Sequence, residues 1–269
     1  MTGPSIESIL ETPIVQVIGV AYTFRPSLMV RRHLTRNLAA YHSAQNDTFS
    51  YFYKGDSSSI VSDGEDLTLR KDPITGALVQ HWPEPELAVL LGNNHEFIAY
   101  TLANDLTAIG VETRGRTKLQ DNTFFGKVWA GSGSLGPRFV AASMIRNPEQ
   151  LVIGLSIKRG GKTILNQQYN TARRSLSFNS IPSAIVVCYR KFEDRVPQSK
   201  QICLSPSGEL PAGTVIMLGT GLIVRREYYC RPGDVLTVYS PDIGELTNLV
   251  TSEGSEAPQY RAHHVRETE

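Results

Sequence analysis

The sequence predicts an α+β fold that is rich in β-strands and has few helices. Between about residue 77 and residue 250, short apolar and β-branched runs alternate with turn sequences such as Arg159-Gly160-Gly161. Helical spacing of apolar residues is convincing in two segments, residues 27–45 and residues 181–192. The length of 269 residues suits one large domain, or one domain with a smaller appendage.

The elements divide into a smaller N-terminal region, residues 1–70, and a main domain, residues 71–269. In the N-terminal region, β-branched residues predict a strand over residues 14–22. In the main domain, Leu87–Leu91 and Phe97–Leu102 flank a short polar loop and predict a β-hairpin. Further strands are expected at residues 138–142, 151–157, 214–218 and 235–239.

The composition excludes several classes of protein. Twenty-seven Lys and Arg residues balance 26 Asp and Glu residues, so no basic excess is available to bind a nucleic acid. No apolar run reaches the roughly 18 residues of a membrane-spanning helix, and no secretory leader pattern is visible. Three scattered cysteines, Cys188, Cys203 and Cys230, do not make a disulfide framework. We therefore expect a cytoplasmic protein that binds neither nucleic acid nor membrane.

The hairpin brings acidic residues together. Glu84 and Glu86 come just before its first strand, and alternate residues of an extended chain point to the same side. If Leu91 lies opposite Phe97, Glu84 falls within about one residue of Asp105 on the second strand. Three carboxylates are thus expected to converge at one end of the hairpin.

Converging carboxylates repel one another unless a cation joins them. Oxygen ligands without His or Cys suit Mg²⁺ or Mn²⁺ better than Zn²⁺. The alternative is a solvated acidic strand end, since a Glu-x-Glu pair beside a strand is common. The expected hairpin register is what favours a metal site over that alternative.

The ordered motifs of this chain resemble the fumarylacetoacetate hydrolase superfamily. That superfamily has a Glu-x-Glu before a strand and then Asn-Asp-(Val/Leu)-(Ser/Thr)-Ala, which is similar to residues 84–92 and 104–108. The resemblance continues at Gly126-Lys127, Gly136-Pro137, Gly219-Thr220-Gly221, Pro232-Gly233-Asp234 and residues 243–248. Within the superfamily, the sequence is most similar to the 2-keto-3-deoxy-D-arabinonate dehydratases.

The resemblance implies a mixed β-roll, fumarylacetoacetate hydrolase-like domain that binds Mg²⁺ (or Mn²⁺) and forms a homodimer or higher homo-oligomer. By motif position, Glu84, Glu86 and Asp105 become the metal ligands. Lys127 and Glu84 become the candidate catalytic residues, with Lys127 as a base or substrate anchor. The candidate substrate-binding residues are Thr220, Ser132 and Lys54. Without the resemblance, Lys127 and Thr220 would be interpreted as ordinary loop residues, and Ser132 and Ser134 are equally compatible with a mobile loop.

One departure from the family pattern concerns the residues after Asp105. The family usually continues Ser-Ala-Arg-Asp, whereas this chain has Thr107-Ala108-Ile109-Gly110. The support that this Arg and Asp usually give the pocket is therefore missing or comes from other residues, for which Glu112 and Arg114 are candidates. The change also leaves open a family member that has lost catalysis.

A 2-oxo acid can chelate Mg²⁺, and the cation then stabilises the enolate formed when a C3 proton is removed. The hydrolases of the superfamily use a His–Glu pair to activate water, and neither His33 nor His42 has a Glu at the motif spacing. We therefore predict a Mg²⁺-dependent lyase that dehydrates a 2-keto-3-deoxy sugar acid. The alternatives are a C–C bond hydrolase, a decarboxylase or a tautomerase of a 1,3-dicarbonyl or oxo acid.

Overall fold

The computed structural model of the chain describes residues 12–21, 23–24, 50–72, 75–112, 126–173, 177–192 and 202–254. The helix expected over residues 27–45 lies outside these ranges. The strands are β1 (Gln16–Ala21), β2 (Ser50–Gly55), β3 (Leu67–Leu69), β4 (Pro85–Leu91), β5 (Phe97–Asp105), β6 (Gly133–Leu135), β7 (Val140–Ala141), β8 (Val152–Arg159), β9 (Lys162–Asn170), β10 (Thr214–Met217), β11 (Val235–Ser240) and β12 (Gly244–Ser252). The α-helices are α1 (Ile109–Glu112) and α2 (Ile181–Phe192). Short 3₁₀ turns cover Asn93–His95, Ala142–Met144, Pro148–Gln150, Thr171–Arg173, Phe178–Ser180 and Arg226–Tyr228.

The strands form two mixed sheets. The larger sheet has the order β2-β1-β10-β4-β5-β6, and β7 also pairs with β5. The smaller sheet has the order β3-β12-β11-β8-β9. The pairs β1–β10 and β12–β3 are parallel, and the other pairs are antiparallel. The prediction of a β-rich α+β fold is confirmed.

The larger sheet rolls, so that its two ends meet. Strands β2 and β6 stand at opposite ends of the strand order, yet Val61, six residues beyond the end of β2, pairs with β6. The amide of Val61 donates to the carbonyl of Gly133 at 2.9 Å, and the amide of Leu135 donates to the carbonyl of Val61 at 3.0 Å. This closure brings residues of β2 next to residues of β5 and β6.

The main core lies between the two sheets. Leu87 and Val89 of β4 join one apolar cluster with Leu155 of β8 and Val238 of β11, and all four side chains are buried. Each such side chain contributes about 1.5–3 kcal/mol when it leaves water. The opposite face of β4 is buried as well, in a second cluster that includes Leu90. A polar side chain on β4 therefore needs partners inside the protein.

The expected strands and the helix over residues 181–192 are present, with adjusted ends. The strand expected over residues 138–142 is shorter than predicted, because β7 covers only Val140–Ala141 and a 3₁₀ turn follows it. Strand β9 was not expected, since most of its side chains are exposed and polar and its sequence lacks apolar alternation. Strands β1 and β2 extend the same sheet as β4 and β5. The division at residue 70 stays a prediction.

Candidate metal centre and active site

A bulge in the β4–β5 hairpin sets the position of the acidic residues. The register shifts by one residue between Leu90 and Leu91, so that Pro85 rather than Glu84 lies opposite Asn104. The shift places Glu84 beside Asp105, whose amide donates to the Glu84 carbonyl at 2.9 Å. The expected convergence is therefore present, and the hairpin register differs by one residue from the predicted register.

The three carboxylates form a compact group. One oxygen each from Glu84, Glu86 and Asp105 lies within 4.8 Å of the others. Glu86 and Asp105 are each only 1% exposed, and the Glu84 side chain is 12% exposed. Among the residues that the structure describes, this is the one such group of His, Cys, Asp and Glu side chains. An all-carboxylate, buried set fits a hard divalent cation such as Mg²⁺ or Mn²⁺.

Glu84 is held from both of its oxygens. The Trp82 indole donates to Oε1 at 2.5 Å, and the Thr107 hydroxyl donates to the same oxygen at 2.8 Å. The Lys127 ammonium donates to Oε2 at 2.9 Å. Trp82 comes from the segment before β4 and Thr107 from the segment after β5, and their main chains pair with each other. The orientation of the carboxylate is thus fixed by the same hairpin that carries it.

Two lysines face Asp105. The Lys127 ammonium lies 2.7 Å from Oδ2, and the Lys54 ammonium lies 2.6 Å from Oδ1. Burial alone would raise the pKa of Asp105, but the positive charges of Lys127 and Lys54 together lower it. Burial lowers the pKa of Lys54, and the carboxylate of Asp105 opposes this effect. The two lysines therefore favour the ionised form of Asp105 although its side chain is buried.

Glu86 is as deeply buried as Asp105. The amide of Gly219 donates to its Oε2 at 2.7 Å. Burial raises the pKa of Glu86 well above its usual range, and the charges of Asp105 and Glu84 raise it further. A divalent cation would offset this repulsion, which is the electrostatic reason to expect one here.

The turn after β10 requires glycine on both sides of Thr220. Gly219 has a φ of +84°, and a Cβ there would lie 2.1 Å from the Thr23 hydroxyl. A Cβ on Gly221 would lie 2.5 Å from the Tyr169 ring. Thr220 itself is 4% exposed, and its hydroxyl accepts from the Leu222 amide at 3.1 Å. The turn therefore brings a main-chain amide and Thr220 to the Glu86 side of the carboxylates.

Tyr169 is a residue of the site that the sequence did not indicate. It lies on β9 of the smaller sheet and donates to the Pro85 carbonyl, between the two glutamates, at 3.0 Å. Burial raises its pKa well above the usual range, and the Glu86 carboxylate adds to this effect. No motif marks it, because β9 lacks the pattern of a strand.

The other predicted residues are divided between the site and its surroundings. The Ser132 hydroxyl donates to the Lys127 carbonyl at 3.0 Å, so that it supports Lys127 from behind. The Ser134 hydroxyl donates instead to Asn248 of β12 at 2.7 Å. Ile109 is buried in the core at 4% exposure, where the family pattern has an arginine. Outside the described residues and side chains lie Glu112, Arg114, His33 and His42.

Comparison with known proteins identifies the family. A family model described as the fumarylacetoacetate hydrolase C-terminal domain matches residues 18–251. The chain belongs to the fumarylacetoacetate hydrolase family. The matched range includes every strand described above except the first two residues of β1 and the last residue of β12.

Two curated relatives of the chain are named as a sugar-acid dehydratase and a probable one. The chain is 27% identical over 201 residues to 2-dehydro-3-deoxy-D-arabinonate dehydratase of Saccharolobus solfataricus, covering 74% of this chain and 57% of the relative. It is 26% identical over 203 residues to a probable 2-keto-3-deoxyxylonate dehydratase of Haloferax volcanii, covering 75% of this chain and 60% of the relative. The chain therefore spans less than two thirds of the length of these two relatives.

A solved structure shares the architecture of this member of the fumarylacetoacetate hydrolase family. The structure of 2-keto-3-deoxy-D-arabinonate dehydratase in complex with magnesium and 2,5-dioxopentanoate superposes with a TM-score of 0.69 at 22% identity. The superposition covers 94% of this chain and 82% of that structure. The fumarylacetoacetate hydrolase-like fold is thus confirmed. No helix within the described ranges has the length and apolar character to cross a membrane.

Proposed function

We propose that this member of the fumarylacetoacetate hydrolase family is a Mg²⁺-dependent hydro-lyase that dehydrates a 2-keto-3-deoxy sugar acid. The observation that carries the proposal is the buried cluster of Glu84, Glu86 and Asp105, bridged by Lys127. The two dehydratase relatives support the reaction, and the 2-keto-3-deoxy acids in their names support the substrate class.

The donor set determines which ion would fit. Three carboxylate oxygens, without a nitrogen or sulfur ligand, would come from Glu84, Glu86 and Asp105. When bound there, Mg²⁺ would supply a Lewis acid that polarises the 2-oxo group of the substrate. The relative solved with magnesium supports the choice of metal.

We assign proton transfer at the substrate C3 to Lys127, with Glu84 as its partner. The Lys127 ammonium contacts both Glu84 and Asp105, so that it lies against the carboxylate cluster rather than in solvent. Removal of one C3 proton and departure of the C4 hydroxyl group release one water and leave a C3–C4 double bond. A proton shift from C5 to C3 then gives a C4–C5 enol, whose ketonisation yields the semialdehyde. Lys127 can take the C3 proton only as a neutral amine, and its 2.9 Å hydrogen bond to Glu84 provides the route by which the ammonium first gives up a proton.

The Gly219–Gly221 turn is the proposed contact for the substrate carboxylate. Thr220 contributes a hydroxyl there, and successive main-chain amides of a glycine-rich turn can hold an anion. Ser132 would act through Lys127, whose carbonyl it contacts. Ile109 is buried and supplies no charge that would select one sugar acid. We therefore propose a class of substrates rather than a single compound.

The metal is tested first. Wild type is expected to bind about one Mn²⁺ or Mg²⁺ per chain by calorimetry, whereas Glu84→Gln loses at least about tenfold in affinity because one ligand charge is gone. The matched control is Glu96→Gln, an exposed glutamate at the far end of the same hairpin, which should bind like wild type. Equal affinity in wild type and Glu84→Gln would remove the metal assignment.

The reaction is tested with a panel of 2-oxo acids. Incubation with 2-keto-3-deoxypentonates should release a semialdehyde product that a carbonyl reagent detects, and the rate should depend on added Mg²⁺. Pyruvate release from an acylpyruvate would identify a C–C bond hydrolase instead. If the protein binds the metal but converts none of the 2-oxo acids, it would be identified as a binding protein instead of an enzyme. The homodimer and the cytoplasmic location stay predictions, and light scattering tests the first of them.

A further inference from the structure

The side chain of Lys54 crosses the place where the rolled sheet closes. Lys54 lies on β2, and its side chain is fully buried. Its ammonium reaches Asp105 on β5, although β2 and β5 are separated by β1, β10 and β4 in the strand order. The contact exists because the ends of the sheet meet at Val61 and Gly133. A lysine is thus placed beneath the acidic cluster by the closure of the roll.

The ammonium of Lys54 contacts three oxygens, all inside the protein. It lies 2.6 Å from Oδ1 of Asp105 and 2.5 Å from the carbonyl of Lys127. A third, longer contact of 3.5 Å reaches the carbonyl of Leu106. The two carbonyls accept hydrogen bonds from the ammonium, and the contact with Asp105 is an ion pair. A substrate at Lys54 would have to compete with these partners.

The path of this side chain is built into its neighbours. A Cβ on Gly133 would lie 2.8 Å from Lys54 Cε, so β6 has a glycine where the lysine stem passes. On another side, the Trp129 ring lies with its centroid 5.5 Å from the ammonium. The methylene stem of Lys54 therefore packs against Gly133, and its charged end lies against the Trp129 ring.

We propose that Lys54 is a positioning residue that joins the metal ligand Asp105 to the catalytic candidate Lys127. Because Oδ1 of Asp105 faces Lys54, the carboxylate turns Oδ2 to Lys127, whose ammonium also contacts Glu84. By holding the Lys127 carbonyl, Lys54 also fixes the main chain from which the Lys127 ammonium extends. This role rests on the proposed function and replaces direct substrate binding as the assignment of Lys54.

The test uses Mn²⁺ as the probe and three variants of the full chain. Lys54→Met keeps the stem and removes the charge, and Gly133→Ala keeps every polar group but displaces the stem. Lys162→Met is the control, because Lys162 is an exposed lysine on β9. Mn²⁺ affinity and the electron paramagnetic resonance spectrum of the bound ion are measured, with circular dichroism to check folding.

Lys54→Met is expected to lose about tenfold or more in Mn²⁺ affinity, the usual effect of losing a residue that orients a metal ligand. Its bound-ion spectrum should change, because Asp105 then keeps only the contact of Oδ2 with Lys127. Gly133→Ala should shift both readouts in the same direction by a smaller amount, and it decides the matter if Lys54→Met does not fold. Lys162→Met should match wild type.

Three results would overturn the proposal. Unchanged affinity and spectrum in Lys54→Met would mean that Asp105 needs no such support. Tighter binding would mean that Lys54 acts only as a charge that repels the cation. A raised KM for substrate with unchanged Mn²⁺ binding would return Lys54 to substrate contact. Failure of wild type to bind Mn²⁺ is a different outcome, which counts against the proposed function itself.

Discussion

The Trp82 indole donates a 2.5 Å hydrogen bond to Oε1 of Glu84. Trp82 is 8% exposed, and its ring packs edge-on against Tyr229 with the centroids 6.1 Å apart. The glutamate that begins the acidic motif is therefore oriented by a buried aromatic residue only two positions away. Thr107 donates to the same oxygen from the other strand end. Together these donors leave Glu84 little freedom to turn.

Removal of either donor is expected to weaken metal binding. Trp82→Phe and Thr107→Val each leave Glu84 Oε1 with one donor fewer, and losses of roughly 10-fold in Mg²⁺ affinity are typical for such changes. Calorimetric titration measures the affinity. The control for the second variant is Thr237→Val, which removes a hydroxyl that contacts Thr247 on the smaller sheet. Unchanged affinity in both site variants would contradict the idea that Glu84 needs a fixed orientation.

The hydroxyl of Tyr169 is expected to stabilise the fold as well as the site. Tyr169→Phe leaves the buried Pro85 carbonyl without this donor, which should lower the free energy of unfolding by about 1–3 kcal/mol. Tyr239→Phe is a matched control, because its hydroxyl contacts Asn166 at an exposed position, and it should cost under about 0.5 kcal/mol. Urea denaturation gives both values. Equal costs in the two variants would show that the bond to Pro85 is not the source of the effect.

The acidic site could be predicted from the sequence because its geometry is local. Glu84 and Glu86 share a face through strand alternation, and a short hairpin brings Asp105 beside them. The bulge at Leu90–Leu91 could not be predicted, since nothing in an apolar run marks where a register shifts. It moved the pairing by one residue without separating the carboxylates.

The supporting residues could not be predicted in the same way, because their contacts depend on the tertiary fold. Lys54 reaches Asp105 only because the larger sheet closes, and nothing in the sequence between the two residues indicates that closure. Tyr169 comes from a strand whose exposed polar residues hide its pattern. The family resemblance supplied the motif positions of Lys127 and Thr220, which spacing alone would not have identified.

Gly219 is expected to tolerate no side chain. Gly219→Ala meets both an unfavourable φ of +84° and the Thr23 hydroxyl at 2.1 Å, and it displaces the amide that donates to Glu86. The control is Gly233→Ala, at nearly the same φ of +87° but with open space around it, which isolates the backbone cost of roughly 1 kcal/mol. Thermal unfolding and Mg²⁺ titration compare the two. Gly219→Ala should lose more stability and also lose metal affinity; identical behaviour would mean that the contact with Thr23 relaxes without cost.

His81 is expected to make the folded protein less stable in mild acid. Its ring is buried, Nδ1 donates to the Val79 carbonyl at 2.8 Å, and Nε2 accepts from the Arg70 amide at 3.2 Å. The pKa of His81 is lowered from 6.5 to about 4, mainly by burial and also by the charges of Arg70 and Lys54, while the hydrogen bond to the Val79 carbonyl opposes the shift. A proton on Nε2 would also face the Arg70 amide, which is itself a donor. The neutral ring is therefore the form that fits.

The sign of the pH effect follows from which state binds the proton. Between pH 6.5 and about 4 the unfolded chain protonates His81 and the folded chain does not, so stability falls as the pH falls through this window. The loss reaches roughly 3 kcal/mol at its lower end. Urea denaturation of wild type and His81→Gln between pH 4 and 8 measures it. The two curves should run parallel above about pH 7.5 and converge below pH 6, because only wild type has this ionisable group to protonate. Parallel curves over the whole range would mean that the folded state accommodates a charged His81.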